Sequence, residues 1–200
     1  MTTRHFSTLG IASHSGWAAV VALGNAPGGP QVLERSRVQL IDEHYPESKQ
    51  PYHAVEALKI DEAARHLDRY RAQALSMAGS ALRQISQNLA GHGYGLKAVG
   101  ILDSSGRKGS PLRSILASHS LIHTADGDHF RTALASAAEQ IGLVVHRVPA
   151  KDLEALAELR LHQPPTEMRD LVREIGRQVG APWGADQKNA ALLAWALLEQ

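Results

Sequence analysis

Cysteine is missing from all 200 residues, which removes disulfides, thiolate nucleophiles and cysteine-ligated zinc or iron–sulfur centres together. Charge of one sign is also lacking: 21 Lys and Arg stand against 20 Asp and Glu, for a formal net of +1. A strongly basic surface for nucleic acid is therefore not advertised, and only a local basic patch suits such a partner. The opening MTTRHFSTLG lacks the apolar core of a signal peptide. The longest apolar run, Trp17 to Leu23, is far too short to cross a bilayer. A cytoplasmic protein without membrane contact is expected. No internal repeat or low-complexity tail appears, and neither a Walker loop nor a Gly-x-Ser-x-Gly nucleophile elbow is present.

What remains is an ordinary globular composition, 44% hydrophobic, at a length that predicts one domain over residues 1–200. Phe6–Ile11 and Trp17–Leu23 are short apolar runs around the polar turn Ala12-Ser13-His14-Ser15-Gly16, which predicts a hairpin of largely buried strands. After the loop Gly24–Pro30, the segment Val32–Leu40 alternates, with Val32, Ser36, Val38 and Leu40 on one side and Arg35, Arg37 and Gln39 on the other. Asp42–Tyr52, with Pro46 and Pro51, predicts a loop.

Leu67, Tyr70, Ala74, Met77, Ala81, Ile85 and Leu89 then step by three or four, the apolar stripe of a long helix. Ala98–Leu102 predicts a buried strand closed by Asp103, and a short helical piece is expected around Leu112–Leu116. A helix from about Asp126 carries Phe130, Leu134, Ala137 and Ile141, and Leu143–Val148 follows as a strand. Helices over 150–161, 166–179 and 186–198 complete the chain. The order βββαβαβα predicts an α/β fold: a mixed five-stranded sheet with a parallel half and helices on both faces.

That order resembles the RNase H-like superfamily, with a topology similar to the Holliday-junction resolvases. Two segments carry the likeness. Leu9-Gly-Ile-Ala-Ser-His-Ser-Gly-Trp-Ala-Ala-Val20 resembles the resolvase opening strand and turn, and Ala185-Asp186-Gln-Lys-Asn-Ala-Ala-Leu-Leu-Ala194 is similar to its last, alanine-rich helix. The resemblance implies carboxylates on the first strand, the fourth-strand end and a helix, holding Mg²⁺ or Mn²⁺ for phosphodiester cleavage. Carried over, it assigns Asp103 and Asp186. Ala12 stands where the first-strand acid is expected.

Three other features bear on a site. His14 can act as base or ligand near neutral pH; alternatively its turn only caps backbone groups. The loop Asp103-Ser104-Ser105-Gly106-Arg107-Lys108 follows a strand where α/β sheets bind ligands, so Ser104, Ser105, Arg107 and Lys108 are candidates to hold a phosphate. His119, His123 and Asp126 cluster in sequence, and the two histidines share a face if helical. Such a set suits Zn²⁺ or Mn²⁺, while Thr124 or Asp126 is also a candidate helix cap. The expected assignment is Asp103, Asp126 and Asp186 as metal ligands, with Asp103, Asp186, His14 and His123 in catalysis. The expected function is a divergent RNase H-like nuclease or nucleic-acid-binding protein. The alternatives are a non-catalytic scaffold, or a binder of small phosphates or nucleotides on the same fold. A homodimer through the second strand or the long helix is compatible with the sequence.

Overall fold

The computed structural model describes residues 5–106 and 109–199. Three strands form an antiparallel meander: β1 (His5–His14), β2 (Trp17–Ala26) and β3 (Gly29–Gln39). Ser15-Gly16 joins β1 to β2 in two residues, and Gly16 has a positive φ, 83°, which glycine adopts at no steric cost. A short helical turn, α1 (Pro51–Ala54), leads to the 32-residue helix α2 (Ile60–Gly91). Then come β4 (Tyr94–Asp103), α3 (Leu112–Leu116), α4 (His119–Gln140), β5 (Val144–Pro149), α5 (Leu153–Leu161), α6 (Pro165–Val179) and α7 (Ala185–Leu198). The strand order is β3-β2-β1-β4-β5, with β4 parallel to both β1 and β5.

The sheet divides the apolar core in two. Leu9, Ile11, Val99 and Ile101 point to one face and pack against α2 and α4 through Leu82, Ile85, Phe130 and Leu134. Ala12, Ala19, Val21 and Leu102 point to the other and meet Leu153, Val172 and the apolar side of α7. Strands buried on both faces need continuous apolar sequence, which is what Trp17–Leu23 and Ala98–Leu102 supply.

Helix α7 lies unusually close to the sheet. Gly10 and Gly100 are neighbours across β1 and β4. A Cβ on Gly10 would fall 1.8 Å from the Ala190 carbonyl oxygen, and one on Gly100 would fall 2.5 Å from Leu193 Cγ. The Thr8 hydroxyl donates to the Ala194 carbonyl at 2.6 Å, adding a polar tie in an otherwise apolar seam.

Several local expectations change, among them the loops at 24–30 and 42–52, which the ends of β2 and β3 and the helical turns at 46–49 and 51–54 largely fill. The alternation of β3 breaks at a register shift opposite Ala22/Leu23, so Val32 packs on the α7 face and Val38 on the α2/α4 face; an extra residue in one strand inverts the pleat. The buried stripe of α2 runs through Ala78 and Leu82 rather than Met77 and Ala81. Helix α4 begins at His119, not near Asp126, because Ile122 is fully buried and extends the apolar stripe one further turn. Finally, β2 lies inside the sheet, so the edges open to a partner are β3 and β5.

Candidate functional site at the carboxyl edge of the sheet

The ends of β1, β4 and β5 meet at one edge of the sheet, and the register there decides which side chains share a face. Ile11 is level with Ile101, so Ala12 comes level with Leu102, and both belong to the core on the α7 face. His14, two residues beyond Ala12, points the same way and meets Asp186 at the start of α7, Nε2 to Oδ2 2.9 Å. The imidazole stacks on Trp17 at 4.3 Å between centroids, and Arg37 places its guanidinium carbon 3.9 Å from the Trp17 ring centroid. This face therefore carries a half-exposed His–Asp pair over an aliphatic floor.

The approach to α7 is fixed by side chains far away in sequence. Arg35 donates to the carbonyls of Gly180 (2.6 Å), Ala181 (3.1 Å) and Pro182 (2.9 Å). The Trp183 indole donates to Val172 O at 2.9 Å. Together they set where the first turn of α7, and hence Asp186, can lie.

Asp103 alternates from Leu102 and points to the α4 face. It is buried, 7% exposed, and Arg147 Nε donates to its Oδ2 at 2.9 Å. Arg131 Nε stands 3.9 Å from Oδ1, and the Ser104 amide donates to the same oxygen at 2.7 Å. Arg147 also donates through Nη2 to Asp128 at 2.5 Å. Two arginines and two aspartates thus knit β4, β5 and α4 together.

Beside this network, α1 meets the first turns of α4. The Asp126 carboxylate is buried and accepts from the Tyr52 amide at 2.7 Å; its other oxygen lies 2.5 Å from His53 Nδ1. Burial pushes this carboxyl above its ordinary range, against the hydrogen bonds from His53 and Tyr52 that favour its charged form. The rings of His119 and His123 approach to 3.0 Å between Nε2 atoms, and His53 sits against both, at centroid distances of 5.4 and 4.5 Å. Next to them, a cavity of about 230 Å³ is lined by Tyr52, Arg71, Asp128, His129 and Thr132, among others. Burial there pushes His129 down to about 4, with Arg71 adding to the effect.

The structure thus brings His14 to Asp186, and His123 to the neighbourhood of Asp126, but it places Asp103 and Asp186 on opposite faces of the sheet. Asp126 is an interior residue of α4 rather than its cap. The Ser104 amide turns back onto Asp103, and Ser105 is exposed. Arg107 and Lys108 lie outside the described residues. Sequence reasoning missed His53, Arg131 and Arg147. Only Arg147 had a local signal, a charge in the second half of a mostly apolar strand; nothing near His53 points to residues some seventy positions later.

No family model and no curated protein matches this sequence. Among solved structures, the chain is similar to T. thermophilus RuvC in complex with a Holliday junction substrate, at 14% identity and a TM-score of 0.52 over 96% of this chain and 92% of that one. It is similar also to a second structure of Thermus thermophilus RuvC, at 13% identity and a TM-score of 0.51 over the same shares. No helix among the described residues is long and apolar enough to cross a membrane. With its mixed five-stranded sheet in this strand order, the chain has the RNase H-like fold seen in T. thermophilus RuvC.

Proposed function

We propose that this protein binds structured nucleic acid through the carboxyl edge of its sheet and does not cleave it by a two-metal mechanism. The observation that carries this reading is the strand register. A pair of hard divalent cations needs several oxygen ligands converging on one volume. On the α7 face Ala12 and Leu102 offer none, and Asp186 is engaged by His14. On the other face Asp103 is held by Arg147 and Arg131. These residues do not fit the Mg²⁺ or Mn²⁺ centre that the resemblance implies.

Binding draws support from the likeness to a RuvC solved with a junction and from the groups on this edge. Trp17, layered between His14 and Arg37, offers an aromatic and cationic surface. The sequence after β4 adds Ser105, Arg107 and Lys108 as phosphate-seeking groups. With a net charge of +1, affinity depends on local groups rather than on the overall field.

The test combines binding and cleavage on one set of substrates: four-way junction, duplex and single-stranded DNA, and the RNA equivalents. Fluorescence anisotropy should show junction binding that weakens with salt and weakens further in Arg37→Ala. Incubation with Mg²⁺ or Mn²⁺ should leave every substrate intact. Metal-dependent cleavage that disappears in Asp186→Asn would overturn the non-cleaving half of the proposal, and absence of binding would overturn the other.

A further inference from the structure

We propose that His53, His119 and His123 form a binding site for a borderline transition-metal ion, Zn²⁺ foremost, that fastens α1 to the start of α4. One ligand nitrogen from each of the three rings lies within 4.8 Å of the other two. The residues come from two elements: His119 and His123 are one helical turn apart on α4, and His53 is supplied by α1. An i, i+4 pair presents two imidazoles on one helix face, a spacing suited to a shared ion.

The distances fit the chemistry. Zinc–imidazole bonds of about 2.0–2.1 Å in a tetrahedron place ligand nitrogens about 3.3–3.4 Å apart. His119 and His123 already stand at 3.0 Å, Nε2 to Nε2. Two ring nitrogens at that separation repel unless something positive lies between them, either a proton carried by one ring or a cation bound to both. Small rotations of exposed rings would bring the set to bonding distance, and His119 and His123 are exposed while His53 is half-buried.

The surroundings are those of a ligand set rather than of three stray histidines. His53 bonds to Asp126 through Nδ1, which leaves Nε2 as its ligand atom. A carboxylate behind a histidine orients the ring, fixes its tautomer and raises its basicity, the arrangement recurrent behind metal-bound imidazoles. Asp126 is itself buried and positioned by the Tyr52 amide, so the orienting group cannot drift. Three neutral nitrogens favour Zn²⁺, Co²⁺ or Ni²⁺ over Mg²⁺, which demands oxygen. With three protein ligands, a fourth position stays open to water or to an anionic oxygen of a bound molecule. This site is separate from the His14–Asp186 edge and does not depend on the function proposed above.

The experiment uses the whole chain freed of metal by a chelator, with no nucleic acid present. Isothermal titration with Zn²⁺ should give one site per chain, and Co²⁺ should give the intense visible absorption of a tetrahedral nitrogen-ligated ion. Mg²⁺ should give neither. The double variant His119→Gln/His123→Gln should lose the cobalt spectrum and weaken zinc binding at least a hundredfold, while Asp126→Asn should weaken it about 10–100-fold. His44→Gln, at an exposed loop position where the ring meets Asp42, should leave both signals unchanged. Because His119 and His123 are exposed, the double variant should keep the wild-type circular dichroism spectrum. An unchanged zinc isotherm in the double variant overturns the proposal, as does the absence of zinc binding by the wild-type chain.

Discussion

The two faces of the sheet's carboxyl edge treat a carboxylate in opposite ways. On the α7 face Asp186 is about a third exposed and paired with a single, half-exposed histidine. On the α4 face Asp103 is nearly buried and held by two arginines and an amide. The first arrangement leaves an acid that solvent or a ligand can reach; the second spends its acid on joining β4, β5 and α4. A position in sequence next to a strand end therefore says little about an acid's role until the parity of the strand is known. One residue earlier, a carboxylate at Leu102 would face α7 and Asp186; at Asp103 it faces the other half of the molecule.

The contrast can be broken most forcefully at Asp103. Asp103→Ala removes the carboxylate that Arg147 and Arg131 share at a largely buried spot and leaves Arg147 with Asp128; removing one member of such a network costs about 3–5 kcal/mol. Urea unfolding should register that loss, and adding Arg147→Met should recover part of it. Acid tests the same side. His129 is held neutral, its pKa pushed from 6.5 to about 4 chiefly by burial, so below about pH 6.5 the unfolded chain binds the proton more readily than the native one. Its contribution to stability is complete above that pH and is lost as the pH falls toward 4, by about 3 kcal/mol in all. Unfolding curves across that range should flatten in His129→Phe.

On the α7 face the effects should be smaller. Arg35→Ala removes three hydrogen bonds to the loop before α7, though at an exposed position, and should cost about 1–2 kcal/mol. Hydrogen exchange should show the amides of the first turn of α7 opening faster. His14→Ala, which removes an exposed His–Asp contact, should change stability by less than about 1 kcal/mol while altering junction binding more than Arg35→Ala does.

The sequence foretold the architecture well because its signals are local. Trp17–Leu23 and Ala98–Leu102 are continuous apolar runs, and Gly16 marks the hairpin turn. With the apolar stripes of Leu67–Leu89 and Phe130–Ile141, they give the order of strands and helices. It foretold the site less well because the deciding facts are tertiary. The faces of Val32 and Val38 depend on a bulge defined against β2. The face of Asp103 depends on the register with β1, and the partners of His119 and His123 arrive on α1, brought there by the packing of α1 against α4. His14 and Asp186, by contrast, were legible one by one, and their meeting follows from the same β1–α7 contact that carries the fold resemblance.

That contact has a mechanical side. Where a helix rests on a sheet through side chains, it can slide or tilt as rotamers change. Here the backbone of α7 bears directly on the backbone of β1 at Gly10, and Leu193 fills the recess above Gly100. At Gly10 no side chain separates the two, so a slide or tilt of α7 there would drive backbone into backbone. A group that engages Asp186 therefore meets it on the α7 face, where this contact and the His14 pairing hold it.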